Sequence, residues 1–167
     1  MQIILPNPEQ TAKQATSCAI TGHRTLPPDF DESRVEEFLR TMMDNGITDF
    51  YNGLAMGFDL LTAELIVKLK KDYPSVRLHG CIPFYGQERY YPETDKSRYT
   101  EAVKSCDSVT IIDESYHRNS YFKRNDYMVE RADLLFAYCK EEKGGAAYTI
   151  KRFQKTHSEE NLILFNE

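Results

Sequence analysis

At 167 residues, with 41% hydrophobic and 28% charged residues, the chain is sized for one soluble globular domain and is too apolar to be disordered. No stretch approaches the roughly 18 apolar residues of a membrane-spanning helix, and a net charge of −5 argues against a dedicated duplex-DNA binder. Cys18, Cys81, Cys106 and Cys139 form no C-x-x-C pair and have no histidine at ligand spacing. They read as small buried hydrophobes in a reducing, cytoplasmic compartment, with no metal site.

The first sixteen residues lack the basic start of a secretory signal, and Pro6 stops their short apolar run. They read as an N-terminal arm, with a single domain over residues 17–167. The first strand is expected over Ser17 to Thr21. A helix follows in DESRVEEFLRTMMDNG, where Val35, Phe38, Leu39, Met42 and Met43 share one face and Gly46 stands where a C-terminal cap belongs. Thr48 to Asn52 is the second strand. The helix after Gly57 carries Leu61, Leu65 and Leu69 at spacing four and stops before Pro74. Arg77 to Phe84 is the third strand, and the next helix turns Tyr99, Ala102, Val103 and Cys106 inward. Ser108 to Ile112 is the fourth strand. Its helix has the inner stripe Tyr121, Asn125, Met128, Val129 and Ala132. Leu134 to Cys139 is the fifth strand, AAYTIKRFQKTH the fifth helix, and Asn161 to Phe165 the sixth strand.

Short apolar strands alternating with helices predict an α/β, Rossmann-like doubly wound fold, its mainly parallel sheet covered by helices on both faces. Ligands in such folds sit at the carboxyl ends of the strands, where strand order reverses. Chemistry should therefore gather in the loops that follow strands. After the first strand come Thr21, Gly22, His23 and Arg24; the glycine permits close backbone approach and the guanidinium suits phosphate. After the second come Gly53, Gly57 and Asp59 in NGLAMGFD, which is either an anion cradle at a helix N-terminus or a tight turn. Glu64 lies about 140° around the helix from Asp59, so the two are no obvious acid–base pair. After the third come Phe84, Tyr85, Tyr90 and Tyr91, a wall for a base or an ordinary packed loop. Asn125 is a polar residue on an apolar face and needs a partner in a loop or in a ligand. After the fifth strand, Gly144 and Gly145 precede a helix bearing Thr149, again suited to phosphate. Three small or glycine-bearing loops at one sheet edge favour the cradle.

CAITGHR, NGLAMGFDLLTAE, KRNDYMVERADLLFAY and KGGAAYTIKRF, in that order, resemble the YpsA-like family of the SLOG superfamily over about residues 17 to 165. That superfamily has a Rossmann-like fold and includes the Lonely Guy phosphoribohydrolases and DprA. The resemblance implies a pocket for a nucleotide or an ADP-ribose-like ligand, formed by Gly22, Arg24, Gly53, Gly57, Asp59, Asn125, Gly144, Gly145 and Thr149. No further cofactor is implied, and a homodimer is left open. The chain departs from the pattern at the last loop. Gly144-Gly145-Ala146 replaces Gly-Gly-Thr, and no glutamate follows Tyr148 at the catalytic position of the phosphoribohydrolases. Three functions remain: a cytoplasmic nucleotide-binding sensor or regulator; an N-glycosidic hydrolase with Asp59 as its carboxylate and Glu64 and Glu88 behind it; and a DprA-like single-strand DNA or protein-interaction module, against which the acidic balance weighs.

Overall fold

A computed structural model describes residues 14–166. The strands are β1 (Ser17–Gly22), β2 (Asp49–Asn52), β3 (Arg77–Phe84), β4 (Ser108–Asp113), β5 (Leu134–Tyr138) and β6 (Leu162–Leu164). Between them run α1 (Glu32–Asp44), α2 (Phe58–Leu69), α3 (Glu93–Ser105), α4 (Ser120–Arg131) and α5 (Gly145–Gln154). The aromatic loop after β3 contains a 3-10 turn at Gln87–Tyr90 that periodicity does not reveal. The first thirteen residues of the expected arm lie outside the described residues. By residue 16 the chain is already anchored: the Thr16 N–H donates to the Asp133 carboxylate (2.9 Å), and its carbonyl accepts from Thr48 (2.9 Å).

All strand pairs are parallel, in the order β4-β3-β2-β1-β5-β6. Strands β2, β3 and β4 step outward from β1, and the chain then crosses back to β5. That reversal puts α1, α2 and α3 on one face and α4 and α5 on the other.

Side chains alternate along each strand, so each face has its own core. Cys18, Ile20, Phe50, Leu78 and Phe136 point toward α1–α3. There Phe136 stacks on Phe38 (5.4 Å between centroids) and meets Phe58 edge-on (5.4 Å). The other face presents Ala19, Cys81 and Ala137, small enough to let Met128 and Val129 of α4 and Phe153 of α5 pack close. Helix α2 is central in its layer and is buried on most of its circumference, a wider face than its Leu61–Leu65–Leu69 stripe suggests. Asp31 caps α1 by accepting from the Arg34 N–H (3.2 Å), and Gly46, one residue past the cap, takes the left-handed φ of +95°.

The cysteines divide two and two. Cys18 and Cys81 are fully buried, and burial raises both thiols, Cys81 to about 12, beyond ordinary reactivity. Cys106 and Cys139 are only half buried, because each sits just past the end of its element rather than inside it. Among the described residues no helix is long and apolar enough to cross a membrane.

Phe136 touches Phe38, Phe58 and Phe165 at the centre of the larger core. Phe136→Ala is expected to lose about 3–5 kcal/mol of stability, read as a lower urea midpoint at unchanged slope.

Candidate functional site

Strand order reverses between β1 and β5. Their following segments leave toward opposite faces of the sheet, and a crevice opens at their carboxyl ends. A cavity of about 300 Å³ lies there. Its walls are Thr21–Arg24 after β1, Lys143–Ala146 at the start of α5, one side of α4 including Tyr121, Arg124 and Asn125, and Ala55 and Asp59 beneath.

The two glycine-bearing loops do different jobs. At the start of α2 the Phe58 N–H donates to the His23 carbonyl (3.0 Å) and the Leu60 N–H to the Ala55 carbonyl (3.1 Å), so this helix end is already filled by protein. Gly57 has φ +78°, and a Cβ there would overlap the carbonyls of His23 and Arg24. Gly53 is buried and leaves room for a guanidinium: a Cβ would come within 2.5 Å of the Arg124 Nη1. Both glycines therefore serve close packing, and protein carbonyls take the Phe58 and Leu60 N–H groups that an anion would use. The geometry of NGLAMGFD is set by Asn52, whose side chain accepts from the Leu54 N–H (2.8 Å) and donates to the Asp59 carbonyl (2.9 Å) and the Thr62 hydroxyl (3.1 Å). These bonds hold Leu54 at φ +54°, a conformation that costs a non-glycine residue about 1 kcal/mol or more.

Helix α5 is the open one. Gly144 takes φ +103°, no side chain caps the helix, and the N–H groups of Gly145, Ala146 and Ala147 have no acceptor among the described residues. Gly144, Gly145 and Ala146 line the cavity, so the positive end of the helix dipole lies at its wall. Thr149 is fully buried and turns inward: its hydroxyl donates to the Gly145 carbonyl (2.8 Å) and steadies the first turn without reaching the cavity.

Arg124, which in the sequence only adds positive charge beside Asn125, proves to line the site. It is buried, with Nε donating to the Asn125 Oδ1 (2.8 Å) and Nη1 donating to the carbonyls of Gly53 (2.8 Å) and Cys81 (3.3 Å). One signal was present in the sequence: Arg124 precedes Met128 by four residues and so lies on the inward side of α4. Asn125 thereby has its partner in Arg124, while its amide nitrogen stands 3.9 Å from where a Gly145 side chain would begin. Asp59 is also buried. Its Oδ2 accepts from the Ala55 N–H (3.3 Å), and its Oδ1 has no partner among the described residues. Burial pushes its carboxyl up to about 6, and the positive charges of Arg124 and Arg24 pull the other way.

Arg24 is exposed at the mouth, its guanidinium 5.1 Å from the centroid of the Tyr121 ring. The His23 Nε2 accepts from the Lys140 N–H (2.7 Å), which ties the loop after β1 to the segment after β5 and places the ring proton on Nδ1. Glu64 is not part of the site. It is exposed on α2 and paired with Arg98 (2.5 Å), at a separate surface depression. Glu88 lies in the 3-10 turn after β3, off the walls of this cavity. Of the expected residues, Thr21, Gly22, His23, Arg24, Asp59, Asn125, Gly144 and Gly145 are brought together, while Gly53, Gly57 and Thr149 stand behind them. Among the described residues no group of three or more His, Cys, Asp or Glu side chains is placed to hold a metal ion.

The YpsA family model, described as the YspA SLOG family, matches residues 32–165, and the chain belongs to that family. A UPF0398 protein of Halalkalibacterium halodurans is 24% identical over 153 residues, covering 90% of this chain and 81% of the relative. One of Bacillus cereus is 29% identical over 136 residues, covering 77% of this chain and 74% of the relative. Among solved structures, DNA processing protein A from Helicobacter pylori, described for its single-stranded DNA binding mode, is similar with a TM-score of 0.66 at 18% identity. The match covers 92% of this chain and 66% of that one. DNA processing protein A from Streptococcus pneumoniae is similar with a TM-score of 0.65 at 16% identity, over 90% of this chain and 50% of its own. At such identities the likeness is one of fold.

Two measurements check this geometry. Arg124→Met leaves the Gly53 and Cys81 carbonyls without their buried donor and should cost at least about 2 kcal/mol by chemical denaturation. The folded protein holds the Asp59 proton more tightly than the unfolded chain, whose carboxyl titrates near 3.8. The contribution of Asp59 to stability is therefore fully present below that value and is lost as pH rises through about 6, by roughly 3 kcal/mol in total. Asp59→Asn should flatten that slope and leave the protein more stable than its parent at pH 8.

Proposed function

We propose that this YspA SLOG family member is a cytoplasmic protein that binds a nucleotide or an ADP-ribose-like phosphate ester at the reversal point of its sheet. One observation carries the reading. The uncapped N-terminus of α5, the Arg24 guanidinium and the unpartnered Oδ1 of buried Asp59 face one cavity. The first two suit phosphate, and the third suits a hydroxyl donor such as a ribose. No single one of these would define a ligand; their convergence favours one molecule carrying both anionic and hydroxyl groups. A sensor or regulator needs no more than this.

A second reading is favoured by Asp59. A carboxyl raised to about 6 inside a cavity is poised to exchange a proton near neutral pH, as an N-glycosidic hydrolase requires. On that reading Asp59→Asn abolishes release of free base from AMP or ADP-ribose, followed by chromatography, without loss of binding. The DNA-binding relative is a fold neighbour only, and the net charge of −5 weighs against a strand-binding role here.

The test of the first reading is a thermal-shift and calorimetric screen with AMP, ADP, ATP, NAD and ADP-ribose. Arg24→Ala should weaken binding of the phosphate-bearing hit about tenfold or more. Gly145→Asp should abolish it while leaving the unliganded melting temperature equal or higher. An acidic side chain in the first turn complements the helix dipole but places a negative charge where the phosphate would sit. A parent protein that no such compound stabilises would overturn the proposal.

A further inference from the structure

Beside the cavity just described lies a larger one, of about 780 Å³, at the carboxyl ends of β3 and β4. Four of its lining residues are tyrosines, and Arg89 and Glu114 add one charge of each sign. Tyr85, at the tip of β3, is 64% exposed, and Tyr116, in the loop after β4, is 62% exposed. Phe84 lies between them, meeting Tyr116 edge-on at 5.3 Å and Tyr121 edge-on at 5.4 Å. Large rings held at this exposure forgo burial worth about 25 cal/mol for each Å² of apolar surface, so their placement asks for a covering partner. A left-handed Gly86 and the Gln87–Tyr90 turn form the lip. Gln87 lies in the wall and is buried. It donates to the Gly53 carbonyl (3.1 Å), and its Oε1 has no donor among the described residues.

One residue is common to the walls of the two cavities. Tyr121 lines both: its ring carries Arg24 on the phosphate side and meets Phe84 on the tyrosine side. The centres of the two openings, between β1 and β5 and between β3 and β4, are three strand spacings apart, about 14 Å at 4.8 Å per strand. A nucleoside monophosphate is short for that span, whereas a nucleoside diphosphate or a dinucleotide reaches across it.

We infer that the tyrosine cleft seats the base of the ligand, with Tyr85 and Tyr116 against the ring, while its distal phosphate lies at the N-terminus of α5. The inference rests on the phosphate-site reading and narrows it to nucleoside diphosphates and their ribosyl derivatives, ADP-ribose included. Sugar phosphates without a ring would fill only the first cavity.

Calorimetry on the full chain tests it with ADP, ADP-ribose, AMP and pyrophosphate, using the parent protein, Tyr85→Ala, Tyr116→Ala and the double variant. Both tyrosines are exposed, so the variants should melt within a degree or two of the parent. The expected result is that ADP and ADP-ribose bind more tightly than AMP. Each substitution then weakens ADP and ADP-ribose about tenfold, and pyrophosphate binds all four proteins alike. ADP binding unchanged in the double variant would overturn the base site while leaving the phosphate site standing. So would an equal weakening of pyrophosphate. No binding of any of the four compounds to the parent would overturn both.

Discussion

A single buried guanidinium holds this site together. Arg124 reaches out of α4, on one face of the sheet, to the carbonyl of Gly53, in the loop that leads to α2 on the other. It also bonds the carbonyl of Cys81 in β3 and the side chain of Asn125. Arginine stays charged when buried, so its environment must supply acceptors and a counter-charge. Burial pulls Arg124 below its ordinary pKa, and the nearby Asp59 opposes that pull. The same charge restrains the rise at Asp59, whose own burial would otherwise carry its carboxyl higher. The consequences spread from there. Gly53 must be glycine because the guanidinium occupies the place of its side chain. The loop must turn where Asn52 turns it, and Leu54 must take a strained conformation so that backbone carbonyls point at the buried charge and at the Tyr91 hydroxyl (3.2 Å).

That network explains which parts of the molecule the sequence exposes to reading and which it conceals. The sheet and its helices are legible because burial imposes a period. Val35, Phe38, Leu39, Met42 and Met43 could form one face of nothing but a helix, and they line the core on α1. The parallel sheet follows from alternation, since strands joined by helices have few other ways to pair. The location of the site follows in turn, because reversal of strand order leaves a crevice in any such fold. Within the site, the segment TGHR and the pair Gly144-Gly145 are legible for a local reason: each follows directly on a strand end.

The remainder was hidden because it depends on contacts between distant segments. Gly53 and Gly57 carry the same signal as Gly144 and Gly145, a glycine before a helix. What separates them is whether another loop fills the helix end. The His23 carbonyl fills that of α2, and among the described residues no protein group fills that of α5. No local property of NGLAMGFD records the presence of His23, which lies thirty-four residues earlier in the chain. Arg124 was hidden for a related reason. A basic residue on a helix is usually solvated, and only the carbonyls brought to it by β3 and the β2 loop make burial tolerable. Thr149 shows the converse error. Its position after a glycine pair suggests a ligand, yet its hydroxyl is satisfied within its own helix turn.

The polar groups left unsatisfied point the same way as the geometry. A fold under selection for stability alone would not keep a buried carboxylate oxygen without a donor and an uncapped helix at one cavity. Both are unfavourable as they stand, and on the proposed reading a ligand hydroxyl at Asp59 and an anion at α5 would satisfy them. Cradle and network are also physically separate. The donors of α5 belong to the backbone, so Ala146 in place of the threonine of Gly-Gly-Thr costs the loop a hydroxyl but none of its N–H groups. The proposed phosphate site therefore does not depend on the glutamate of the phosphoribohydrolases. On the hydrolase reading the chemistry would fall to Asp59, whose carboxyl is raised by burial and held back by Arg124. The residue that builds the pocket is in this way also the residue that tunes it.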